Sequence, residues 1–357
     1  MSSTNIYSLT RDHQHSAIEN TAQSAWQIEY KNAISNLETL CDELELDIND
    51  LPVDRSRYQT FPLRVPHSYV KRMQKSNPTD PLLLQVLPNQ LEQQEIAGFI
   101  KDPVGDLRSV KSSGLLQKYH GRALLITSSC CAIHCRYCFR RHFPYSEQNP
   151  RKDSWIQAIE ELKNDKSINE IILSGGDPLT LSDQKLEELV KKLETIQHIT
   201  TLRVHTRLPV VIPNRINSSL LAWIKNTRLK LVMVLHINHA QEINHELQNK
   251  LNLLVELNCM LLNQSVLLRT INADTKSLEN LSKKLLNANI MPYYLHLLDK
   301  VAGAAHFDVP ENEARLLMRK VAKRLPGYLV PKLVKEIPGE TSKRTIDFQA
   351  PNIPVIN

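Results

Sequence analysis

The sequence predicts an α/β fold, a partial (β/α)6 barrel with a mostly helical extension at its N-terminal side. Three observations point to it. From residue 122 onward, short apolar runs alternate with amphipathic helical stretches through six units. Such alternation implies parallel strands joined by right-handed crossovers. The polar and glycine-containing clusters fall directly after the apolar runs, at the strand ends where α/β folds collect their chemistry. The chain has 357 residues, enough for a barrel of this kind with further segments attached. A doubly wound open sheet is the competing arrangement of the same elements.

Residues 1 to about 20 are polar and read as a loose tail. From about 21 to 60 the apolar residues Trp26, Ile34, Leu37, Leu40 and Leu44 keep helical spacing. Residues 51–68 carry three prolines and read as irregular. From 69 to 101 the pattern is helical, with breaks at Pro78, Pro81 and Pro88. Strands are expected at 122–127, 170–174, 200–206, 230–236, 260–268 and 291–298. Helices are expected near 151–164, 182–196, 216–226, 241–257 and 275–288. The organisation that follows is an extension over 1–110, a barrel with its sites over 111–348 and a short tail over 349–357.

Composition narrows the function classes. Lys and Arg number 44 against 38 Asp and Glu, a net charge of +6 that demands no polyanionic partner. Aromatics at 5% are too sparse for base-stacking surfaces, so no nucleic-acid partner is expected. No run approaches the roughly 18 apolar residues of a membrane span. The first residues, MSSTNIYSLTRDHQHS, lack an apolar leader core. The expectation is a cytoplasmic protein with no membrane partner.

Cysteine carries the chemistry. Four of the six cysteines, Cys130, Cys131, Cys135 and Cys138, lie within nine positions directly after the first expected strand. In a cytosolic chain such clustering means metal or redox chemistry. Cys131, Cys135 and Cys138 have C-x3-C-x2-C spacing. Three thiolates on one loop can hold three irons of a 4Fe–4S cluster and leave the fourth iron open to a small molecule. Zinc, with His134 or His142 as a fourth ligand, is the alternative. Cys130 reads as a bystander, and Cys41 and Cys259 as core thiols. Only 9 residues are glycine, yet two of them, Gly175 and Gly176, are adjacent in LSGGDPL after the second strand. Glycine there permits a close backbone approach.

With SSCCAIHCRYCFRRHF and LSGGDPL both in place, the chain resembles the radical S-adenosylmethionine (SAM) superfamily. The resemblance implies a 4Fe–4S cluster held by Cys131, Cys135 and Cys138, with SAM on the open iron. Tyr137, Gly175, Gly176 and Asp177 fall on the SAM-binding motifs. His236, at a strand end, is a further SAM contact or a core histidine. CRYCFRR and the later segment PGYLVPKLVKEIPGETSKRTIDF resemble, more narrowly, the lysine 2,3-aminomutase family.

By that resemblance Lys343 is the catalytic lysine that carries pyridoxal 5′-phosphate (PLP), although the family's glycine run is reduced here to Gly339. Lys332 and Lys335 are competing lysines whose spacing does not match. Tyr119, Arg122 and Gln264 match PLP contacts, and Lys118 stands where the family has an arginine. Arg215 also falls in a matching segment. Arg140 takes the place of the arginine that binds the substrate carboxylate, and a planar guanidinium suits a carboxylate. Asp299 and Glu336 match the two acids that face the distal ammonium of lysine, with Glu336 replacing an aspartate.

The implied reaction moves the α-amino group of L-lysine to C3. The resemblance, which spans about residues 60–348, is strongest to the type that makes (R)-β-lysine for elongation factor P. It implies an electron donor such as flavodoxin or ferredoxin and a ligase that receives the product. An aminomutase for another amino acid and an iron–sulfur protein acting on nucleic acid are the alternatives; Asp299 argues against a glutamate substrate.

Overall fold

The structure is a computed structural model that describes residues 24–53, 61–112, 114–144 and 154–349. The expected tail at 1–20 and nearly all of that at 349–357 lie outside the described residues.

The six expected strands form as β3 (Arg122–Ser128), β4 (Glu170–Gly175), β5 (Thr201–Thr206), β6 (Lys230–His236), β7 (Met260–Val266) and β8 (Met291–His296). Each pairs in parallel with the next. Strand order follows chain order with no reversal. A doubly wound sheet reverses its order at the middle, so the barrel reading holds. A further parallel strand, β9 (Lys332–Lys335), pairs with β8 and was not expected. Short antiparallel partners finish both edges: β1 (Val110–Ser112) and β2 (Leu115–Tyr119) against β3, and β10 (Arg344–Thr345) against β9. They satisfy backbone groups that would otherwise be open for pairing. Among the described residues the two edges share no ladder. They nevertheless face each other, because the Tyr119 hydroxyl on β2 donates to Glu336 beyond β9 at 2.5 Å.

The connecting helices obey the spacing that predicted them. In Asp183–Glu194 the residues Leu186, Leu189, Val190 and Leu193 are buried, Ser182 caps the start, and Lys191 and Lys192 sit in the last turn. An acid at the first turn and bases at the last complement the helix dipole. Ser154–Asn164, Ser218–Asn226, His245–Glu256 and Thr275–Asn287 fill the other expected places, and Glu311–Ala322 leads into β9. β3, β4 and β6 bury near-continuous apolar runs, as parallel strands covered on both faces do, whereas β5, β7 and β8 alternate and turn residues such as His205, Gln264 and Tyr294 toward the interior cavity.

The extension begins with helices Ala25–Lys31 and Leu37–Leu44, as the spacing predicted. Their Trp26, Leu37, Leu40 and Leu44 join one core with barrel residues such as Leu162 and Leu186. The stretch 69–101 differs from expectation. It holds the end of the one-turn helix His67–Val70, the 3-10 turn Gln90–Gln93 and successive turns. Its prolines remove helical donors. The buried Asp80 carboxylate instead accepts from the backbone of Gln74, Leu82 and Leu83 and fixes a compact turn.

Candidate active site

One cavity of about 510 Å³ opens inside the barrel at the C-terminal strand ends, within the size range of small-molecule sites. Every residue that the sequence singled out as a cluster, SAM, PLP or substrate contact lines it. Arg215 does not. It is fully buried elsewhere, donating to Leu179 O at 2.7 Å and Asp183 at 2.8 Å beneath the Trp26 ring.

The cysteine loop leaves β3 and is clamped by the extension. His134 N donates to Arg64 O and Arg136 N to Gln85 O. The Arg136 guanidinium reaches Phe61 O at 2.7 Å and both oxygens of Glu92, which Arg141 also contacts at 2.7 Å. The two histidines weighed as zinc ligands bond to backbone carbonyls: His134 Nδ1 to Pro62 O at 2.8 Å and His142 Nε2 to Ala302 O at 3.1 Å. Among the described residues no three His, Cys, Asp or Glu side chains converge on a single ion position.

The thiols of Cys131, Cys135 and Cys138 share one wall of the cavity. Burial pushes the Cys131 thiol up, and the neighbouring Cys138 thiol and Asp177 carboxylate push it further. Burial first, then the Cys135 thiol, raises Cys138 to about 11. Burial thus disfavours the thiolate form at Cys131 and Cys138, and a bound cationic iron core would favour it. The donor set therefore fits a cluster. Cys130 is exposed, and its carbonyl accepts from Asp177 N at 2.8 Å.

Gly175 and Gly176 bring β4 against this loop. A Cβ on Gly175, at φ +127°, would lie 2.3 Å from Ser128 O; one on Gly176 would lie 2.4 Å from Cys130 O. The close approach that glycine permits is thus made to the chain's own backbone, at the root of the cysteine loop. The Asp177 carboxylate faces the protein as well. It accepts from Thr206 Oγ1 and Arg207 N at 2.7 Å, Leu208 N at 2.8 Å and Leu179 N at 3.0 Å.

Tyr137 stacks on His236 with ring centroids 5.7 Å apart and its hydroxyl 3.1 Å from Nε2. Burial, then the charge of Arg207, lowers His236 to about 3 and keeps the imidazole neutral. Arg207 escaped the sequence reading. Its guanidinium lies 2.7 Å from Cys135 Sγ. The available signal was a charged residue set between the end of a buried strand and the apolar run LPVVI.

Across the cavity, Lys343 Nζ lies 2.5 Å from Glu336 Oε2. Burial opposes ionisation of Glu336, but Lys343, Tyr119 and Lys118 hold its carboxyl below the usual range. Arg122 stacks over the Tyr119 ring at 4.7 Å and has no carboxylate partner among the described residues. A cation without a counter-ion, beside Lys118, Tyr119 and Lys343, fits the phosphate of PLP. Lys335 pairs with Glu311 at 2.5 Å and Lys332 is exposed; neither lines the cavity.

Arg140 Nε bonds Asp106 at 2.8 Å, and its Nη1 bonds Ser174 Oγ at 3.0 Å. Asp106, also unread in the sequence, pairs with Lys118 at 2.7 Å. Burial resists its ionisation, yet Arg140 and Lys118 bring its carboxyl down to about 2. Asp299 is the opposite case. Burial pushes it up to about 7, Lys343 opposes, and Glu336 and Asp106 add to the rise.

The Radical SAM superfamily pattern matches residues 125–222 of the chain. The chain is 48% identical over 332 residues to the L-lysine 2,3-aminomutase of Buchnera aphidicola subsp. Baizongia pistaciae, covering 93% of this chain and 98% of that one. It is 46% identical over 325 residues to the L-lysine 2,3-aminomutase of Escherichia coli, covering 91% and 95%. Among solved structures, Streptococcus suis SuiB bound to S-adenosylmethionine superposes with a TM-score of 0.45 at 15% identity, over 65% of this chain and 53% of that one.

Proposed function

As a member of the radical SAM L-lysine 2,3-aminomutase family, we propose, this chain converts L-lysine to β-lysine in the cavity just described. The observation that carries the reading is convergence: the three thiols of the cysteine loop and the Lys343 amine line one cavity. When bound, a 4Fe–4S cluster with SAM supplies one-electron chemistry that removes an unactivated hydrogen, and PLP supplies the π system across which an amino group can migrate.

The chain's own residues do the positioning. Cys131, Cys135 and Cys138 would hold iron on the loop fixed by Arg136 and Glu92. Tyr137 and neutral His236, with the backbone of Gly175 and Gly176, shape the SAM side. Lys343 is the attachment point for PLP and must be neutral to act as a nucleophile; Glu336, at hydrogen-bond distance, is placed to exchange that proton. Tyr119, Arg122 and Gln264 would orient PLP. Arg140, fixed by Asp106 and Ser174, presents a guanidinium to the substrate carboxylate. Asp299 and Glu336 would receive the distal ammonium.

The finer reading is that the product is (R)-β-lysine, handed to a ligase that modifies elongation factor P, with flavodoxin or ferredoxin as electron donor in the cytoplasm. Its support is the resemblance of GYLVPKLVKEIPGE and the Glu336 replacement. Among the described residues no helix is long and apolar enough to cross a membrane. The test is anaerobic incubation with L-lysine, SAM, PLP and a reductant, followed by chiral analysis. Formation of β-lysine that requires all four supports the reading. SAM cleavage with lysine recovered unchanged would overturn it.

A further inference from the structure

The Cys135 thiol differs from the other two thiols of the loop. Arg207 Nη1 lies 2.7 Å from Cys135 Sγ, whereas among the described residues no side-chain donor is recorded at Cys131 or Cys138. The guanidinium is fixed from several directions. Nη2 donates to Glu242 Oε2 at 2.9 Å, to Gln85 Oε1 at 2.8 Å and to the Tyr69 hydroxyl at 3.1 Å. Nη1 also reaches the Tyr137 hydroxyl. Glu242 is itself held: its Oε1 accepts from Asn238 N at 2.8 Å and His239 N at 3.0 Å. The backbone of Arg207 is tied by its N–H to Asp177. Glu242 is 0% exposed and the Arg207 side chain 8%.

Stability alone does not explain such an arrangement. A buried ion pair costs desolvation that its mutual attraction barely repays, and apolar residues of the same volume often do as well. What the pair provides is a permanent positive charge, since arginine does not deprotonate, aimed at one sulfur. Hydrogen bonds to cluster sulfurs and nearby charge set a cluster's reduction potential. A donor to thiolate favours the more electron-rich, reduced state and raises the potential.

We propose that Arg207, held by Glu242, is a positioning residue that tunes the cluster: its guanidinium donates to the Cys135 thiolate and makes one-electron reduction by a low-potential donor easier. Reduction adds one electron to the iron–sulfur core and breaks no bond, and the stationary guanidinium offsets the added negative charge. Glu242 moderates that charge and keeps the fork pointed at sulfur. The inference rests on Cys135 being an iron ligand.

The test is the midpoint potential of the reconstituted cluster, read by electron paramagnetic resonance during dithionite titration, with iron counted in parallel. R207Q/E242Q removes both charges, leaves no uncompensated buried ion, and is expected to retain iron. Its midpoint should fall by the equivalent of a tenfold loss in the reduction equilibrium, about 59 mV for one electron. E242Q alone leaves the guanidinium less compensated, so its midpoint should rise. R207K, which keeps the charge, should lie between the double variant and the wild type. A role confined to packing does not produce shifts of opposite sign. Full iron with an unmoved midpoint in the double variant overturns the proposal. Should that variant fail to hold iron, an unmoved or lowered midpoint in E242Q overturns it as well. If C135A keeps all its iron, the ligand assignment beneath the proposal fails instead.

Discussion

Asp299→Asn tests the substrate pocket because it should raise stability and lower activity together. The Asp299 carboxyl is pushed up to about 7 by burial, with Glu336 and Asp106 adding and Lys343 opposing. An unfolded aspartate titrates near 3.9. The folded chain therefore holds this proton more tightly than the unfolded chain does. The stabilising contribution is complete below about pH 4 and is lost as pH rises through about 7. A difference of about three units at 1.36 kcal/mol each gives about 4 kcal/mol. Asp299 lines a cavity that admits water, and screening there reduces the expected effect to about 2 kcal/mol. An asparagine does not ionise and escapes this loss.

Urea unfolding of the cofactor-free chain at about pH 5 and about pH 8 measures the difference, because a shift in midpoint at constant slope reports stability. The variant should gain on the wild type as pH rises. The loaded enzyme should show the reverse in function. A charge-assisted contact is worth about 1.5–3 kcal/mol, so kcat/KM for lysine should fall roughly ten- to a hundredfold. The wild-type kcat/KM should also rise with pH through about 7, as Asp299 ionises, and the variant should lack that limb. Parallel stability profiles with unchanged kcat/KM would refute both the buried titration and the placement of Asp299 against the substrate.

Iron counting on single Cys→Ala variants should show loss at Cys131, Cys135 and Cys138 and retention at Cys130; full iron in C135A would break the assignment. Lys343→Ala should abolish PLP absorbance and turnover while iron persists, and a borohydride-fixed pyridoxyl label found on Lys332 or Lys335 would move the PLP lysine elsewhere. Gly176→Ala places a Cβ 2.4 Å from Cys130 O. Overpacking of this kind costs about 1–3 kcal/mol, so both stability and iron loading should fall, and a variant with neither change would dismiss the tight contact.

The barrel was legible because its strands announce themselves through period and length. Runs such as IILS in β4 and LVMVL in β6 are long, apolar and separated by well-capped helices. β9 gave no such signal. It is KLVK, four residues with a lysine at each end, and four residues do not separate strand from loop by pattern. The stretch 69–101 misled for the opposite reason. Its apolar spacing is real, but Leu82, Leu83, Val86 and Leu87 are buried by a turn built on Asp80. Periodicity records which side chains are buried, not which backbone hydrogen bonds are made.

The site divides along the same line. Residues carried by a local motif could be picked out from the chain, and the fold brings them to one cavity: the cysteines by spacing, Gly175 and Gly176 by adjacency, Lys343 by its segment. Residues whose role is created by folding could not. Asp106 sits in the turn-rich KDPVGDLRS and meets Arg140, 34 positions away, only once β2 and the cysteine loop are in place. Arg207 meets Cys135 across 72 positions. Both are charged partners of a residue that the sequence did identify, and both are buried. A charge enters a protein interior only with a partner. The residues that complete a legible motif are therefore to be sought among the buried charges whose partners the sequence has not yet supplied, and in this chain Arg207 and Asp106 are two of that set.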